Sequence, residues 1–239
     1  MDIVKKKIAR INKVLLKFYG VPPRPEHPPD PVDMLIGTIL SQNTNDKNSY
    51  KAFLNLKKTF KSWEDTAKQS RSKIESLIKT AGLGKQKSYA IINLLTSLLI
   101  LYNKVTLSHL YDLDNSAIIK ELTGYAGIGI KTANCVLLFA LRRNVCPVDT
   151  HVHRTTNRLG ILKASTPDKT SNILNGSMPD NIAHQFHTNL IRLGREICKS
   201  SNPRCYSCPL IRICEYADKN FTEGTSYKVY DFMLLDNIK

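Results

Sequence analysis

Apolar residues along this chain recur with the period of a helix, while the period-two alternation of a half-buried strand hardly occurs. Ile91, Leu94, Leu95 and Leu98 fall at i, i+3, i+4 and i+7 and predict a central core helix over about 86–102. Ile8, Ile11 and Leu15 form one face of a first helix over about 2–18, with Lys5, Lys6, Lys13 and Lys17 largely elsewhere and Gly20 as its stop. Asp30 followed by Pro31 reads as an N-cap and first-turn pair opening a helix to about Gln42. Further helices are predicted at about 47–60, 72–80, 116–122, 131–142, 150–159, 168–174 and 182–197. The expected fold class is all-α.

Between the first two helices, the segment 22–31 holds six of the 11 prolines and should run extended, as a crossing between subdomains. Pro147 imposes an extended segment at Val145 to Val148. The stretch after Tyr216 is charged and mixed, and predicts no particular element.

Charge narrows the function. Thirty-five Lys and Arg against 20 Asp and Glu give a net charge of +15, which points to a polyanionic partner. An anionic membrane is the weaker candidate. No apolar stretch follows Lys5, Lys6 and Lys7, and Ser88 to Asn103, the longest uncharged run, is interrupted by Asn93, Thr96 and Ser97. An intracellular protein that touches nucleic acid is expected.

Four of the six cysteines, Cys198, Cys205, Cys208 and Cys214, lie in the spacing C-x6-C-x2-C-x5-C, with Arg195, Lys199, Arg204 and Arg212 interleaved. Four close thiolates suit tetrahedral zinc or a cubane iron-sulfur cluster, and ligand number does not separate the two. Disulfides fit a reducing compartment least well. Cys135 and Cys146 stand apart and read as small buried hydrophobes.

Gly124-Tyr-Ala-Gly127-Ile-Gly129-Ile-Lys131 is a glycine-rich turn entering a helix. Such a turn lets backbone N–H groups approach a phosphate beside a positive helix end, or simply joins two helices. Lys131 falls in the first helical turn, where the macrodipole disfavours a cation. The neutral amine that this field favours is the form that attacks an electrophilic carbon. Asp149 precedes a helical pattern and reads as an N-cap, or as a carboxylate that takes a proton or steadies a cationic sugar. His151 and His153 lack metal-ligand spacing and read as structural or phosphate-adjacent residues.

The ensemble resembles the endonuclease III family of DNA glycosylases, in the helix-hairpin-helix superfamily. The resemblance rests on Leu40-Ser-Gln42-Asn-Thr44, Ala81-Gly82-Leu83-Gly84, Gly127-Ile-Gly129-Ile-Lys131-Thr-Ala, Val148-Asp149-Thr-His151 with Asn157-Arg158, and the cysteine array, in family order over most of the chain. It implies a six-helix barrel over 32–144 with the hairpin at about 116–142, an iron-sulfur subdomain from 1–31 and 145–216, and a tail at 217–239. It further implies that Lys131 attacks C1′ of a flipped nucleotide with Asp149 assisting. Gln42 would fill the space left by the base, and Leu83 would wedge into the stack. Gly127, Gly129, His151, Lys199 and Arg204 would contact DNA, and the four cysteines would hold a four-iron four-sulfur cluster.

The function implied is a base-excision glycosylase with AP lyase activity, acting as a monomer on double-stranded DNA with damaged bases or abasic sites, in a prokaryotic cytoplasm near the nucleoid and away from membranes. Mismatch-specific thymine or uracil excision with weak lyase activity is the enzymatic alternative, and a non-catalytic iron-sulfur DNA-binding module the other. The chain departs from the family pattern in two places: Ala126 and Ile130 stand where a proline and a basic residue are common, and Gln42-Asn43-Thr44-Asn45-Asp46 differs from the usual aspartate spacing after the threonine. Adenine-excising relatives usually lack the lysine and carry a further C-terminal domain, and this chain is expected to differ from them.

Overall fold

A computed structural model describes residues 3–222. Their regular structure is helical throughout: α1 (Ile3–Tyr19), α2 (Pro31–Ser41), α3 (Asp46–Thr59), α4 (Trp63–Ala67), α5 (Arg71–Ile78), α6 (Gly84–Tyr102), α7 (Asn115–Thr123), α8 (Ile130–Cys135), α9 (Thr150–Arg158), α10 (Pro167–Gly176) and α11 (Ala183–Glu196). No strand occurs among the described residues. Of these residues, 25–143 cluster as one compact unit, and 3–24 with 144–222 as a second. Most of the expected tail, from residue 223 on, lies outside the described residues.

The unit 25–143 is built around α2. Asp30 caps it by accepting from the N–H of Val32 at 2.8 Å, with Pro31 in the first turn. Every residue from Pro31 to Leu40 is buried, the signature of a helix apolar all round. This corrects the expectation that 86–102 is the central helix. α6 buries Ile91, Leu94, Leu95 and Leu98, yet Ile100 and Leu101 on the same helix are exposed. A helix with one apolar face shows a strong period, whereas one that is apolar throughout shows little. The single acid inside α2, Asp33, is compensated by Lys57 at 3.1 Å and by the Trp63 indole N–H at 2.6 Å.

A second correction concerns 131–142, expected as one helix. α8 ends at Cys135, and Val136–Ala140 continues as a π-helical turn, with the N–H of Leu141 reaching the carbonyl of Val136. All five residues of that turn are buried and apolar, so the change of ladder leaves no mark on the hydrophobic pattern. Short α4 and the 3-10 turn at Ser108–Asp112 were likewise not predicted.

In the other unit, Ile8, Ile11 and Leu15 are buried as the amphipathic pattern of α1 predicts, and α1 packs on α11. Lys7 ties α1 to the end of the unit by donating to the Gly160 carbonyl and pairing with Glu215 at 2.7 Å. The extended segment 145–148 is buried, and two asparagines anchor it, Asn144 just ahead of it and Asn175 on the segment's own backbone. Asn144 donates to the Pro179 carbonyl and accepts from the N–H of Ala183, while Asn175 of α10 accepts from the N–H of Cys146 at 2.7 Å and donates to its carbonyl at 3.2 Å. No described helix is long and apolar enough to cross a membrane.

Candidate DNA-repair site

The residues singled out by sequence divide between the two units. In the unit 25–143, α7 is capped by Asp114 and leads through Gly124–Gly129 into α8. Gly127 turns the chain at φ +78, and a Cβ there would stand 2.9 Å from the Cβ of Ala90 on α6. Both conformation and contact therefore require glycine. Gly129 is the N-cap of α8, and no side chain caps that end. Lys131 is the second residue of the helix and half-buried, in the first-turn position expected.

Two further loops belong to this unit. Gln42 follows α2 as its C-cap, and its side-chain amide donates to the carbonyl of Gly127 at 3.1 Å. Leu83 stands immediately before α6 with φ 51, a left-handed conformation that leucine rarely adopts, and it is 45 % exposed. An exposed, conformationally strained leucine suits a wedge better than a core.

In the unit that holds α9, Asp149 caps that helix, accepting from the N–H of Val152 at 2.8 Å. His151 receives a guanidinium N–H from Arg154 on its Nδ1 at 3.1 Å. Since arginine only donates, Nδ1 is the acceptor and the neutral ring carries its proton on Nε2. Burial pushes the pKa of His151 down, Arg154 and Arg195 add to this, and Asp149 opposes it. Gly194 of α11 makes room for this ring, since a Cβ there would lie 2.8 Å from that of His151. His153 bonds Thr170 at 2.7 Å and serves the packing of α9 on α10.

Cys198, Cys205, Cys208 and Cys214 line one cavity, walled also by Leu159 and Leu193. The four thiols surround this space without closing into a ready group of three or more metal ligands among the described residues. Burial pushes the Cys208 thiol up to about 12, and the neighbouring Cys198, Cys214 and Cys205 push the same way; Cys214 is also raised, first by burial. Converging soft donors that repel one another as thiolates are the donor set an iron-sulfur cluster requires.

Cationic support is close at hand. Arg158 lies 3.7 Å from the Cys198 sulfur and donates to the carbonyls of Lys199 and Ser200, while Arg154 donates to those of Cys198 and Gly194. Sequence reasoning missed this pair of clamps, because Arg154 and Arg158, at i and i+4 on α9, stand some 40 residues ahead of the cysteines they brace. Lys199 and Arg204, both half-buried, sit in the loop they hold, with the N–H of Arg204 on the Ile197 carbonyl. Cys135 and Cys146 are buried apolar residues away from the array, as expected.

The all-helical frame and the uncapped hairpin define a helix-hairpin-helix protein. Residues 36–180 match the model of the HhH-GPD superfamily base excision DNA repair protein, and the chain belongs to that family. Endonuclease III of Thermotoga maritima is 34% identical over 209 residues, spanning 87% of this chain and 92% of that one. Among solved structures, a non-covalent endonuclease III–DNA complex superposes with a TM-score of 0.74 at 27% identity, covering 88% of this chain and 94% of that one. A trapped endonuclease III–DNA covalent intermediate matches with the same TM-score of 0.74 and identity of 27%, covering 88% and 95%.

Proposed function

We propose that this base excision repair DNA glycosylase removes oxidised, ring-saturated pyrimidines from double-stranded DNA and cleaves the strand 3′ to the resulting abasic site. The observation that carries this reading is Lys131, an amine in the first turn of a helix that begins at an uncapped glycine hairpin. The hairpin N–H groups at Gly127 and Gly129 would hold a backbone phosphate, bringing the sugar to the amine. A flipped nucleotide is needed because C1′ is out of reach inside the duplex, and Leu83 and Gln42 would occupy the space it leaves.

In this mechanism Asp149 steadies the developing positive charge on the sugar and assists proton removal from the amine. The Lys131 nitrogen then bonds to C1′ as the glycosidic bond breaks, its electron pair leaving with the base, which takes up a proton. Opening of the C1′–O4′ bond gives an iminium and a protonated O4′. Loss of a C2′ proton forms a C=C bond and expels the 3′ phosphate. Water finally hydrolyses the imine and frees the lysine. Saturated pyrimidines are favoured because a ring that is no longer flat stacks poorly and costs less to extrude.

Cys198, Cys205, Cys208 and Cys214 would hold a four-iron four-sulfur cluster, whose chemistry here is to fix the loop carrying Lys199 and Arg204 for phosphate contact. His151 would add a further phosphate contact. The protein acts as a monomer on damaged DNA in the prokaryotic cytoplasm.

The test is incubation with duplexes carrying an abasic site, thymine glycol, uracil or a G·T mismatch, with and without borohydride. A covalent adduct is expected with wild type and none with Lys131→Gln, which should still bind. An adduct that forms equally in the variant makes another amine the nucleophile. Single-turnover rates placing G·T or G·U well ahead of thymine glycol establish mismatch excision instead.

A further inference from the structure

Lys87, on the first turn of α6, is 2% exposed. Buried ammonium groups are normally matched by a carboxylate. Lys87 instead donates to two main-chain carbonyls, that of Leu40 at 2.8 Å and that of Ala81 at 2.8 Å. Burial pushes its pKa down to about 8.

Both carbonyls are helix ends. Leu40 supplies one of the last carbonyls of α2, which no longer have an intrahelical donor, and Ala81 closes the 3-10 turn Lys79–Ala81. A positive charge between the two satisfies both orphans and both negative helix ends. Beyond Leu40, after Ser41, come Gln42 and Asn43, the latter at φ 50; immediately beyond Ala81 come Gly82 at φ 69 and Leu83 at φ 51. Each loop thus holds a non-glycine residue in the left-handed region. Such conformations persist only where the surroundings enforce them. One buried ammonium spans the bases of both loops.

We propose that Lys87 is a positioning residue that sets the spacing between the Gln42 and Leu83 loops, so that wedge and gap-filler enter the base stack together. This rests on the roles given to Gln42 and Leu83 above. Lys87 touches neither substrate nor reacting atoms, and its effect is confined to the extrusion step. Misplacing a loop by about an ångström costs on the order of 100-fold in a step that depends on it.

The experiment compares full-length wild type, Lys87→Met, Leu83→Ala and Gln42→Ala. Extrusion is read by fluorescence of 2-aminopurine beside a thymine glycol in a duplex, and sugar chemistry by borohydride trapping on an abasic single strand, which needs no extrusion. Lys87→Met is expected to lose on the order of 10- to 100-fold in duplex extrusion rate, as the two loop variants do, with single-strand trapping within about twofold of wild type. Loss in both assays alike assigns Lys87 a general structural role and overturns the proposal. Loop variants that fail while Lys87→Met extrudes normally overturn it for Lys87 alone. Loop variants that extrude normally overturn the wedge and gap-filler reading itself. If Lys87→Met loses its helical circular dichroism, Lys87→Gln, which retains amide donors, takes its place, and collapse of that variant too makes Lys87 a folding requirement and ends the proposal.

Discussion

The side-chain amide of Gln42 donates to the carbonyl of Gly127 across 3.1 Å, joining the turn after α2 to the hairpin that opens α8. The residue proposed to fill the vacated stack is therefore held against the residue proposed to grip phosphate before DNA is present. Preorganisation of this kind lowers the ordering cost of binding.

Gly127→Ala should disturb that arrangement. At φ +78 an alanine is strained, and its Cβ would stand 2.9 Å from that of Ala90. A loss of about 1–3 kcal/mol in unfolding free energy is expected, with weaker DNA binding. Adding Ala90→Gly should recover the contact part and leave the conformational part. Thermal melts of the three proteins decide it, and an unchanged melting point in Gly127→Ala refutes the argument.

Asp149→Asn separates the two roles of that carboxylate. Asparagine caps a helix about as well as aspartate, so stability should hold within about 0.5 kcal/mol. Single-turnover excision should nevertheless fall by about 10²–10⁴, the usual worth of a positioned acid-base group. Equal activity would reduce Asp149 to a cap.

Wild-type protein should be yellow-brown, with broad absorption near ~400 nm from thiolate-to-iron charge transfer. Cys208→Ala should lose the band and melt lower, since a closed metal site contributes its binding free energy to folding. Colourless protein with one zinc per chain after anaerobic preparation would replace the cluster by zinc.

Binding to duplex DNA should weaken steeply with salt, with a log-log slope of about −0.9 per phosphate neutralised. Arg204→Ala should make the slope shallower by about 0.9 while excision from bound DNA stays near wild type. An identical slope removes Arg204 from the phosphate contacts.

What could be read in sequence was local. The caps at Asp30 and Asp149, the face of α1 and the entry of Lys131 into a helix each depend on residues within one or two turns. Lys87 looked like any surface lysine, because its partners are a carbonyl 47 residues away and one in the preceding turn. The central place of α2 and the π-helical turn after Cys135 were equally hidden, since both occur in runs that are apolar on every side. The cysteine spacing grouped four thiols that line one cavity, yet the arginines that brace their loop become meaningful only once α9 is seen beside it.

The bonds of Asn175 to both backbone groups of Cys146 imitate the pairing that a neighbouring strand would provide. A helix here lends one side chain as a substitute strand, and the extended run that delivers Asp149 needs no sheet. Only an amide of this length offers donor and acceptor together. Aspartate at 175 would set a carboxylate oxygen against the Cys146 carbonyl and release the run from its template, so a change of one atom on α10 would be felt at the start of α9.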